Sequence, residues 1–151
     1  MARQMSPECE QEFEELRAFV DFCSTNIFGL SPDNPAHVSH TLQGIVEKFG
    51  KSKALNGLRQ AANDAIEATG GFSPERVAQL DSALQEKGIL TLSEMRRRHS
   101  STYKRILKRG HIKTETEYHL INGIVVDNTA LLMPPERTSL QNMLIAYENG
   151  G

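Results

Sequence analysis

Six cationic side chains between Arg97 and Arg109 are the residues of this chain best suited to bind something. They lie in the stretch Thr91–Gly110, TLSEMRRRHSSTYKRILKRG. Read at a helical period of about 3.6, Arg97, Lys104 and Lys108 line one flank, and Arg98, Arg105 and Arg109 line the other. Two such rows offer carboxylates or phosphates an extended target. The arginine forks can hold either group through two parallel hydrogen bonds, which lysine cannot do.

Other groups form weaker patterns. His99, Ser100, Ser101 and Tyr103 supply nucleophile and base types close together, but His99 and Tyr103 fall on the apolar face while Ser101 points away from it. His99 therefore reads as a hydrogen-bonded, partly buried histidine. His37 and His40 stand three apart, a spacing compatible with metal binding. Two ligands do not close a zinc site, and no cysteine or carboxylate beside them completes one, so they read as an exposed first turn. His111 and His119 flank a helix cap with no partner evident. Arg59, Asn63 and Glu67, four apart, read as an interhelical hydrogen-bond ladder or as part of a site.

Cys9 and Cys23 lie on one expected helix, about 21 Å apart at about 1.5 Å per residue, too far to pair. They lack the spacing of a CxxC motif and read as buried free thiols, with an intermolecular crosslink or redox sensor as the alternative. The sequence contains no GxGxxG after a strand, no GxxxxGK[ST], no GxSxG and no HExxH. No cofactor or metal is expected. Without tryptophan and with few aromatic residues, the chain offers no stacking platform for single-stranded nucleic acid.

The elements that must position these residues are helical. Thr91 and Glu94 have the spacing of a capping box, and Gly110 stands where a left-handed residue would end the basic helix. Leu92, Met95, His99, Tyr103, Ile106 and Leu107 form its packing face. Upstream, Ser6-Pro7-Glu8 opens a helix in which Cys9, Phe13, Leu16, Val20, Cys23, Ile27 and Leu30 recur at alternating spacings of four and three, a heptad-like seam. A second helix from Asn34-Pro35 buries Val38, Leu42, Ile45, Val46 and Phe49. A third, Ser52–Thr69, buries Leu55, Leu58, Ala62, Ala65 and Ile66, and a fourth from Ser73-Pro74-Glu75 buries Val77, Leu80 and Leu84. Pro134-Pro135-Glu136 opens the last, with Leu140, Met143, Leu144 and Tyr147 inward, after a loop through Leu131-Leu132-Met133.

One segment reads two ways. Thr114 and Glu117 form a capping box for a helix to Asp127, with Tyr118, Ile121 and Val125 inward. Yet Asn122-Gly123 between apolar residues is also a strong signal for a short β-hairpin.

These features give an all-α chain, 1–151, folded as a single helical domain of about six helices. Its formal charge of −2 and pI near 6.2 lie far from the value above ~9 common in dedicated nucleic-acid-binding domains. The acids of the first helix, Glu8 to Asp21, are a potential counterweight to the basic stretch. No apolar run nears the ~20 residues that cross a bilayer, and the N-terminus lacks the apolar core of a signal peptide, so a cytoplasmic protein is expected. The functional expectation is a non-enzymatic interaction or regulatory protein, of accessory, immunity or antitoxin type. It would use Arg97, Arg98, Lys104, Arg105, Lys108 and Arg109 to bind an acidic protein partner or a second copy of itself. Two alternatives stand beside it: a nucleic-acid-binding protein using the same helix, and an enzyme whose site assembles from distant residues.

Overall fold

The computed structural model describes residues 5–127 and 132–150, and all regular structure among them is helical. Eight helices occur among the described residues: α1 (Pro7–Asn26), α2 (Val38–Phe49), α3 (Lys51–Ala68), α4 (Pro74–Glu86), α5 (Leu92–His99), α6 (Ser101–Arg109), α7 (Glu115–Val126) and α8 (Pro134–Glu148). The all-α expectation is met, but the count of about six is not. No described helix is long and apolar enough to cross a membrane. The loop expected through Leu131 begins outside the described residues. The chain gathers into two compact units, residues 1–65 and 66–151, the division falling near the end of α3.

In the first unit, α1 starts as its sequence dictates. The Ser6 side chain accepts a hydrogen bond from the Cys9 amide at 3.2 Å, and Pro7 occupies the first turn. Phe13, Leu16, Phe19, Val20, Phe22 and Cys23 are buried. The helix stops at Asn26, short of Leu30, because the Ile27 and Phe28 amides both turn back to the Cys23 carbonyl and Gly29 takes a positive φ of 71°. The next segment corrects the reading of His37. It is no exposed first turn but a buried N-cap, 0 % exposed, whose Nδ1 accepts from the Ser39 amide at 3.2 Å and whose Nε2 lies 3.0 Å from the Thr25 hydroxyl. Of the expected α2 stripe only Leu42 is buried, and Phe49 is 58 % exposed. The α3 stripe is buried as read, and Arg59 reaches from it to the Glu12 carboxylate at 2.7 and 2.9 Å.

In the second unit, α4 keeps its Ser73 cap and its buried Val77, Leu80 and Leu84. The basic stretch, expected as one helix, is two. Both marked ends hold: the Thr91 hydroxyl accepts from the Glu94 amide at 3.0 Å, and Gly110 is left-handed at φ 87°. Ser100 breaks the interior. Its backbone is extended at ψ 124°, its amide closes α5 on the Arg96 carbonyl, and its hydroxyl opens α6 by accepting from the Tyr103 amide at 3.1 Å. The break lets α5 pack against α4 as well as α7, while α6 packs against α7. Ser100 is buried, so water cannot replace its hydroxyl at the Tyr103 amide. Ser100→Ala should therefore cost about 1–2 kcal/mol, read as a lower urea midpoint at unchanged slope. An unchanged midpoint would show that the break does not depend on this cap.

The Asn122-Gly123 hairpin is also corrected. Residues 115–126 form α7, started by Thr114, whose hydroxyl accepts from the Glu117 amide at 3.1 Å. Its buried face is Leu120, Ile121 and Ile124, which join Tyr103, Ile106, Ile112, Leu140, Met143 and Leu144 in one core. A hairpin would alternate these residues between two faces. The helix places all three on one, where α6, α8 and Ile112 of the α6–α7 link supply the rest of the core.

Candidate functional site

Helix α5 organises the second unit. Thr91, Leu92, Ser93, Glu94, Met95 and Arg96 are all buried, six residues in succession. A stretch this deeply enclosed must find partners inside the protein for every polar side chain it carries. Each of the four found one.

Ser93 meets Asp81 of α4: its hydroxyl donates to Oδ2 at 2.6 Å and its amide to Oδ1 at 3.2 Å. Thr91 donates its hydroxyl to Asp127 at 2.5 Å. Arg96, 5 % exposed, donates from one terminal nitrogen to the Thr69 carbonyl at 2.7 Å and hydroxyl at 3.2 Å, while its buried Nε has no partner. Glu94, 1 % exposed, takes two parallel bonds from Arg97 at 2.7 and 2.9 Å and one from the Arg98 Nε at 2.6 Å. Arg97 also reaches Glu136 of α8 at 3.3 Å.

The six cations read from the sequence therefore divide. Arg97 and Arg98 are half-buried and clamp the Glu94 carboxylate; Arg109 pairs with Glu117 and with the His111 carbonyl. Burial raises the Glu117 carboxyl, but the Lys113 amide and the Arg109 guanidinium outweigh it and hold the group below the usual range. Lys104, Arg105 and Lys108 are exposed on one face of α6, and no carboxylate among the described residues pairs with them. Ser101, on the same face, donates to Glu67 at 3.0 Å.

A cavity of about 560 Å³ opens where the Gly70-Gly71 turn, α4, α5 and α7 meet. Phe72, Val77, Leu120 and Val126 give it apolar walls; Asp81, Ser93 and Arg96 lie at its polar side, with Asn122 and His119 across on α7. Burial pushes the Asp81 carboxyl up. The Ser93 donors pull the other way, and the charge of Asp127 adds to the push. Burial likewise pushes the Arg96 guanidinium down, against the pull of Asp81 and Glu67. His119, expected without a partner, stands 3.4 Å from the Glu115 carboxylate.

This polar cluster was missed, although the sequence carries its signal. Arg96 falls on the stripe Leu92, Arg96, His99, Tyr103, and Asp81 on the stripe Val77, Leu80, Asp81, Leu84. A charge set within an apolar stripe marks a buried pairing. Elsewhere, Cys23 is buried and its thiol is pushed up to about 12 by that burial, which leaves it inert as a nucleophile. Among the described residues, no three His, Cys, Asp or Glu side chains converge as metal ligands would. Compared with protein-family models, curated proteins and solved structures, the chain matches none.

Proposed function

We propose that this is a non-enzymatic interaction or regulatory protein that docks an acidic protein surface on the exposed face of α6. The supporting observation is the division of the basic stretch. Three of its cations are spent on internal carboxylates, while Lys104, Arg105 and Lys108 are left exposed without one among the described residues. Those three span only about 6 Å along the helix axis at 1.5 Å per residue. A compact patch of that size suits a small acidic cluster on a protein, whether a foreign partner or a second copy of this chain. It suits a duplex poorly: three phosphates neutralised give a log–log salt slope of only about −2.7, well below that of a typical specific DNA-binding protein. An accessory role of the immunity or antitoxin kind agrees with this small contact surface.

The test is affinity capture from source-cell lysate at about 50 and about 500 mM salt, with and without nuclease, using the native chain and Lys104→Glu/Arg105→Glu/Lys108→Glu. The native chain should retain a nuclease-resistant partner, or itself, at low salt, and the triple variant should lose at least about tenfold of that retention. Equal retention by the triple variant would remove the proposal. Retention abolished by nuclease would put nucleic acid in place of protein.

A further inference from the structure

We infer that the cavity between α4, α5 and α7 binds a small amphipathic amine, its ammonium held by Asp81 and its apolar body lying against Phe72, Val77 and Leu120. This is independent of the α6 face and uses none of its residues. The cavity, about 560 Å³, falls within the range that encloses small organic ligands, and its walls have the usual mix of apolar surface and few polar groups.

The sign of the ligand follows from what the polar groups already do. Three carboxylates, Asp81, Glu115 and Asp127, line the cavity against one guanidinium, Arg96. Arg96 does not serve as an anion clamp: it is 5 % exposed, its Nε is sealed from solvent, and a terminal nitrogen is bound to Thr69. Asp127 is buried and bound to Thr91. Asp81 differs. It is only half-buried; Ser93 donates to both of its oxygens and the Leu92 amide also donates to it. Two carboxylate oxygens accept about four bonds between them, so capacity remains for a further donor. Its raised pKa means the surroundings undercompensate the charge, which an ammonium would correct. Gly123 helps by presenting no side chain: a Cβ there would lie 3.7 Å from the Ser93 hydroxyl, in the space beside the Asp81 contact.

Thermal melting and calorimetry on the full chain at neutral pH test this, with phenethylamine as probe and 3-phenylpropionate, the same body bearing the opposite charge, as control. Phenethylamine should raise the melting temperature saturably, by about 4 °C at ten times its Kd, and the control should not. Asp81→Asn should weaken the amine at least about tenfold. Ala78→Trp, which fills the cavity from an exposed position on α4 and keeps every carboxylate, should weaken it as much, so the test survives if Asp81→Asn fails to fold. Binding of the carboxylate as strongly as the amine, binding of neither, or amine binding untouched by Ala78→Trp would each overturn the inference.

Discussion

Glu94→Ala should destabilise the protein by about 3–4 kcal/mol, a fall in melting temperature on the order of 10 °C for a chain of this length. The carboxylate is almost wholly buried at the start of α5 and receives three guanidinium bonds between 2.6 and 2.9 Å. Its removal leaves Arg97 and Arg98 without that acceptor and opens a void beside the core. Two features limit the loss. The Arg97 and Arg98 side chains are 18 % and 27 % exposed, so each can turn toward water, and Arg97 keeps Glu136. A fully enclosed pair would cost up to about 5 kcal/mol when one partner is removed. Glu94→Gln, which keeps the volume and two hydrogen-bonding atoms, should recover roughly half. A melting temperature within a degree of the native value for Glu94→Ala would mean that the cluster contributes nothing to stability.

Ile121→Ala should cost about 3–4 kcal/mol by urea unfolding. Local propensity points the opposite way, since alanine is the better helix former by about 0.4 kcal/mol. Burial outweighs it: Ile121 is completely enclosed by the core of α6, α7 and α8. Val126, exposed on the same helix, is the matched control. Val126→Ala should change stability by no more than about 0.5 kcal/mol, and in the stabilising direction. Equal losses at the two positions would contradict the assignment of faces in α7 and reopen the hairpin that Asn122-Gly123 suggested.

What was legible in the sequence was whatever local chemistry decides. The caps at Ser6, Ser73, Thr91 and Thr114 and the stop at Gly110 are read from neighbouring residues and hold in the structure. The stripes of α3 and α4 are also as read. The break at Ser100 was not legible, because a serine in a charged helical stretch is ordinary unless the tertiary fold bends there. His37 was misread for a similar reason: only the approach of Thr25 makes it a buried cap. The cationic face was found, yet its division was not, since the carboxylates that take up Arg97 and Arg109 include Glu136 and Glu117 on other helices. Charge rows are visible in one dimension. Their partners are not.

The division of the basic stretch is tested most directly by urea unfolding of two triple variants. Arg97→Gln/Arg98→Gln/Arg109→Gln should lose several kcal/mol, about 3 or more, because it takes the guanidinium charges away from the buried Glu94 and the Glu117 carboxylates. Lys104→Gln/Arg105→Gln/Lys108→Gln should stay within about 0.5 kcal/mol of the native chain, as exposed side chains without ion pairs do. Similar losses in both, or a larger loss in the second, would contradict the account: Lys104, Arg105 and Lys108 would then belong to the fold and would not be free to bind a partner.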